Sequence, residues 1–202
     1  RSALLASSAA SDVYKRQVFT WKSSAMSTRK MVTIAMLTAV YVVLNFAGTV
    51  RLGWINISVA SLPVIVGAML YGPIGGLLVG LLGAFMGQLL TYGVTATTIL
   101  WILPQAARGL LVGVYAKHCG YKFSSGQLTL ALIGTALVVT ALNTGAMYID
   151  SVIYNYYSYA YVFGGLVVRI ISGAATAVLM VFVAPPVVNL LNRSLDTVRT
   201  AQ

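Results

Sequence analysis

The polar side chains of this sequence are few, and several fall at helical spacing inside apolar runs. Trp101, Gln105 and Arg108 stand at i, i+4 and i+7 in ILWILPQAARGLL, a spacing that puts all three on one helix face. Together they offer a flat ring, an amide that donates and accepts, and a guanidinium fork. Gln88 and Tyr92 close another apolar run, Asn143 and Arg169 are set inside two more, and Arg51, Trp54 and Asn56 crowd a short connection. A guanidinium surrounded by apolar sequence is expensive and takes a partner or water. The acids are Asp12, Asp150 and Asp196, with no Glu. Asp150 is the one acid within reach of this group, so at least one of Arg108 and Arg169 lacks a protein counter-ion. An anionic ligand, most simply a carboxylate held by the planar fork, would supply it. The alternative is that both arginines bond backbone carbonyls at helix ends or extend toward water.

Other chemistries find no parts. The single histidine, His118, follows Lys117 at the end of an apolar run, away from the polar group, so a Ser/His/Asp hydrolase cannot be assembled. One cysteine, Cys119, and no glutamate leave no metal site and no disulfide. No GxxxxGK[ST] stretch is present for a nucleotide. The expectation is a binding protein without cofactor or metal, not an enzyme.

The elements that must position these residues are membrane helices. Of 202 residues, 59% are hydrophobic and 8% charged, and the mean hydropathy is +0.88. Soluble domains carry about 25% charged residues, so a soluble core is excluded. The apolar blocks fall at about 31–49, 57–71, 74–91, 97–117, 128–149 and 162–184, most near the ~20 residues that cross a bilayer. Tyr71-Gly72-Pro73 breaks what would otherwise be one long segment, which predicts a hairpin of two helices there. The reading is an all-α integral membrane protein with six transmembrane helices, a single domain over 26–202. Residues 1–25 lack the pattern of a signal peptide and are expected to be a non-native or disordered leader, with Met26 a plausible start.

Thirteen Lys/Arg against three acids give a net charge of +10. On a soluble protein that would suggest nucleic acid; in a membrane protein basic residues mark cytoplasmic ends. With the N-terminus inside, Arg29, Lys30, Lys117, Lys122, Arg193 and Arg199 are cytoplasmic and Arg51 is outside. That predicts an N-in, C-in chain whose polar residues gather in the outer half, around a cavity that opens outward. Tyr154, Tyr156, Tyr157, Tyr159 and Tyr161 fill the connection before the last helix. Most suit an interfacial belt, and one or two could stack on a ring-bearing ligand. Ala35 and Ala39, four apart on the first helix, let another helix approach closely; Gly76, Gly80, Gly83 and Gly87 repeat the theme and favour internal packing.

From about Met26 to Arg193 the chain resembles the S component, the substrate-capturing subunit, of an energy-coupling factor (ECF) vitamin transporter. The resemblance rests on MSTRKMVTIAMLTAV in the first helix and on VRLGWINISVASLPVIVGAMLYGPIGGLLVGLLGAFMGQLL, which is similar to the folate-type branch. It implies a multi-pass protein of a prokaryotic cell membrane that binds a vitamin near the outer surface, under the loop that follows the first helix. It also implies docking through Ala35 and Ala39 onto a transmembrane T component driven by two ATPases. An anionic vitamin such as folate is expected, with pantothenate or another vitamin as the alternative. The site residues expected are Arg51, Trp54, Asn56, Gln88, Tyr92, Trp101, Gln105, Arg108, Asn143 and Arg169. A stand-alone secondary carrier is the other function class, disfavoured by the absence of glutamate for ion coupling.

Overall fold

The computed structural model describes residues 26–47, 49–52, 55–121 and 125–200, with backbone alone for 49–52, 55–57, 125, 192 and 194–200. The expected leader 1–25, Trp54 and Lys122 lie outside the described residues. Helix α1 spans Thr28–Ala47. Strands β1 (Thr49–Leu52) and β2 (Ile55–Ser58) pair antiparallel. After a short 3₁₀ turn come α2 (Leu62–Tyr92), α3 (Thr98–His118) and α4 (Ser125–Ile153). A five-residue helix α5 (Tyr159–Phe163) leads into α6 (Leu166–Thr200). Among the described residues, five helical stretches are long and apolar enough to cross a membrane.

The second of these is folded double. Gly72 has φ 73° and ψ −159°, which breaks the helix inside α2, a conformation open to glycine and strained for other residues. Across the break the two arms lie side by side: a Cβ at Gly67 would stand 3.0 Å from Val79, twelve residues on. Along a straight helix that separation would be about 18 Å. Pro73 follows as the first residue of the second arm, where its missing N–H is harmless. The arm before the break begins at Leu62 rather than 57, because residues 55–58 are in a strand.

The second arm then packs on α3 with backbone against backbone. A Cβ added at Gly76 would collide with the Gly109 carbonyl, and one at Gly80 with the Gln105 carbonyl group. Small residues four apart on both helices permit this approach. Tyr41 of α1 fills the space over Gly83, where a Cβ would meet its ring at 2.6 Å. The buried face of α1 is Ile34, Leu37 and Tyr41; Ala35, Met36, Ala39 and Val43 face away and are exposed. Helix α4 packs against α3 and α6, and β2 lies beside α6.

The hairpin was not expected from the apolar blocks, yet it carries the period of a strand. Val50-Arg51-Leu52 and Ile55-Asn56-Ile57 each alternate apolar and polar residues. The register pairs Arg51 with Asn56 and Leu52 with Ile55.

Candidate functional site

The site is organised by the end of α4. There Asn155 takes a left-handed conformation, φ 57°, which asparagine tolerates better than most residues. Its N–H bonds the Val152 carbonyl at 3.3 Å, and the Tyr156 N–H reaches back to the Ser151 carbonyl at 3.0 Å. These two bonds make a Schellman motif, which satisfies carbonyls a helix end leaves free. The turn brings the Tyr156 side chain back over the helix it has just left. Its hydroxyl donates to Asp150 Oδ2.

Asp150 is buried, and its other oxygen is held from α3. Thr97, which caps that helix, donates to Oδ1 at 2.5 Å, and the Trp101 ring N–H points at the same atom from 3.5 Å. All these donors are neutral. The hydrogen bond to the Asp150 carboxylate, first among its causes, holds the Tyr156 phenol well above its ordinary pKa. Asp150 is thus a charged acceptor that joins the ends of α3 and α4 and the connection to α5.

Around this hub lie two neighbouring cavities. One, about 340 Å³, is lined by Gln88, Tyr92, Thr95, Thr97, Trp101, Asp150, Tyr154, Tyr156 and Tyr161. The other, about 440 Å³, shares Gln88, Tyr92 and Trp101 with it and adds Tyr41, Asn45, Thr91, Gln105 and Asn143. Volumes of this size are typical of small-molecule sites. Tyr156 and Tyr161 meet edge to face at 5.5 Å and form part of an aromatic mouth. Gln105 lines the larger cavity, and its Oε1 is buried without a hydrogen-bond partner among the described residues. A buried amide oxygen left unpaired costs about 1–3 kcal/mol, a cost that a donor on a bound molecule would remove.

Five of the residues singled out from the sequence are therefore brought together: Gln88, Tyr92, Trp101, Gln105 and Asn143. Arg108 is not among them. It lines a separate space of about 10 Å³ with Ser61, Thr135 and Thr176, room for about one water. Tyr41, which lines the 440 Å³ cavity, lies within electrostatic reach of the Arg108 guanidinium. Arg169 lines neither cavity: its guanidinium donates to the Val162 and Gly165 carbonyls and toward the Met147 sulfur. This is the helix-end arrangement that stood as the alternative to a ligand contact. The side chains of Arg51 and Asn56, and all of Trp54, lie outside the described residues.

Sequence reasoning passed over Asp150 as a site residue, weighing it as a counter-ion alone. Its signal was available, because an acid within an apolar helix is a site candidate in its own right. Asn143 and Asp150, seven apart, also share a face. Thr97 and Tyr41 carried no such signal.

Three comparisons bear on this geometry. The family model for "ECF transporter, substrate-specific component" matches residues 29–188. A UPF0397 protein of Lactobacillus gasseri is 31% identical over 99 residues, 48% of this chain, and the chain spans about half that relative's length, 52%. Among solved structures, the S component of a bacterial ECF transporter superposes with a TM-score of 0.64 at 20% identity, covering 82% of this chain and 99% of that one. An S component for biotin superposes with a TM-score of 0.55 at 16% identity, covering 81% and 94%. At such identities the superpositions speak for the fold.

Proposed function

The chain belongs to the family of ECF transporter substrate-specific components, and we propose that it captures a vitamin in the two adjoining cavities and delivers it to an ATP-driven import module. Membership makes it a multi-pass membrane protein and a transport subunit rather than an enzyme. The observation that carries the ligand site is the convergence of Gln88, Tyr92, Trp101, Gln105 and Asn143 on these cavities. Each of these residues is also marked by the sequence alone, as a polar or aromatic side chain in or at the end of an apolar run.

The distribution of basic residues supports an N-in, C-in chain, which opens the cavities to the outside. Exposure of Ala35 and Ala39 supports a docking face for the T component, with two ATPases completing the complex. The ligand in this reading is an anionic vitamin, folate first because residues 50–90 resemble the folate-type branch, and pantothenate, which also carries a carboxylate, second. With Arg169 engaged by carbonyls and Arg108 in a separate, water-sized space, Arg51 is the remaining candidate for the ligand's acidic end among the arginines singled out from the sequence.

Mass spectrometry of small molecules that co-purify with the detergent-solubilised chain identifies the ligand. Binding is expected without ATP, and uptake is expected only with the partner subunits present. Concentrative uptake by this chain alone in proteoliposomes, driven by a proton or sodium gradient, would refute the reading.

A further inference from the structure

The described walls of the two cavities contain one charged side chain, and it is acidic. A carboxylate offers about four acceptor positions. Thr97 and Trp101 take those of Asp150 Oδ1, and Tyr156 takes one on Oδ2. Among the described residues nothing takes the last position on Oδ2, and Asp150, whose negative charge is met there by neutral donors, is part of the cavity wall. Gln105 Oε1 is a second buried acceptor, without a partner among the described residues. The rings of Trp101 and Tyr92 line both cavities. Flat π-faces around a carboxylate favour an electron-poor ring whose nitrogen carries a proton.

From this we infer that the adjoining cavities select a nitrogen heteroaromatic ring that presents an N–H-donating edge to Asp150. The inference rests on the cavities being the ligand site and adds the chemistry they read. An acidic tail elsewhere on the ligand is compatible with it; an anionic group at the ring edge beside Asp150 is not. Two kinds of ring supply the edge, one protonated and cationic, the other neutral with an amide-like N–H. The field of a carboxylate that meets no cation among the described residues acts on both, more strongly on the cation.

The test is equilibrium dialysis of the purified full chain in detergent against three bicyclic probes of similar size. These are 4-aminoquinoline (a cationic N–H donor at neutral pH), 2-amino-4-hydroxypteridine (a neutral one) and 1-naphthoate, an anion without a ring N–H. At least one N–H donor is expected to bind at least tenfold more tightly than naphthoate, and the ranking of the two donors tells cation from neutral edge. In Asp150→Asn that preference is expected to fall to within about threefold, since a charge-assisted hydrogen bond is roughly twice as strong as a neutral one. Naphthoate binding as tightly as both donors, or a preference unchanged in Asp150→Asn, overturns the inference while leaving a ring-binding cavity in place. No retention of any probe overturns the cavity as a ring site and the inference with it. Should Asp150→Asn fail to fold, the ranking on the unaltered chain decides alone.

Discussion

A methyl group added at Gly80 tests whether the close crossing of α2 and α3 sets the geometry of the site. At Gly80 a Cβ would stand 2.8 Å from the Gln105 carbonyl carbon and closer still to its oxygen, whereas ordinary contact begins at 3.4 Å. The obstacle is helix backbone on both sides, so no side chain can rotate away. The helices must separate by at least the difference, about 0.6 Å, along the contact that carries Gln105. Overpacking of this kind costs about 1–3 kcal/mol. Gly134→Ala on α4 is the matched control, because nothing stands within 4 Å of a Cβ there. Alanine at that position is expected to stabilise by about 0.5–1 kcal/mol, the difference in helix preference. Reversible unfolding of both variants in one detergent should move in opposite directions from the unaltered chain. Gly80→Ala should also weaken binding of whatever ligand co-purifies, since Trp101 and Gln105 ride on the displaced helix. Equal stability of the two variants would refute the claim that this crossing is at backbone contact.

Four further outcomes are expected. Ala39→Trp should abolish uptake in the assembled transporter and leave binding by the isolated subunit intact; loss of binding in a folded variant would assign the alanine face to internal packing. Asn155→Gly should be nearly neutral, whereas Asn155→Val should destabilise by about 1–3 kcal/mol, because a β-branched residue is strained at positive φ; denaturation of the two variants reads this directly. Tyr156→Phe should cost about 1.5–3 kcal/mol by removing a hydrogen bond to a charged group, seen as a lower unfolding midpoint. Because the Tyr156 pKa is raised in the fold, the stability it contributes is present below the ordinary tyrosine value near 10 and is lost as pH rises through the higher folded value. In ultraviolet titration, Asp150→Asn should accordingly shift part of the late tyrosine ionisation to lower pH.

The large features were legible because composition and period determine them locally. The apolar blocks became helices, and Gly72-Pro73 marked the break in α2. Helical spacing together with depth gathered Gln88, Tyr92, Trp101, Gln105 and Asn143. What escaped depended on contacts between distant residues. The Asp150 hub joins residues 53 positions apart, and no spacing rule reaches that far. Arg108 and Arg169 looked equivalent in sequence, both cationic in apolar helices. Their difference is set by what surrounds them: Arg169 finds carbonyls at Val162 and Gly165 where α5 turns into α6, and Arg108 faces a void the size of a water. The β1–β2 hairpin was short enough for its alternation to merge with the apolar residues that follow it.

The doubled helix α2 also constrains how the chain enters a bilayer. Residues 62–71 before the break span about 15 Å at 1.5 Å per residue, half the ~30 Å hydrocarbon thickness. That arm cannot be integrated as a separate span during synthesis. Its ten-odd residues would leave an unsatisfied helix end in lipid, so they must wait for the arm beyond Gly72 and enter together with it as one preformed unit. The bend at Gly72 has to form at or before insertion, which makes biogenesis, as much as the folded state, sensitive to a side chain at that position. Gly72→Val should therefore lower the amount of protein that reaches the membrane by more than its effect on the unfolding of the surviving fraction.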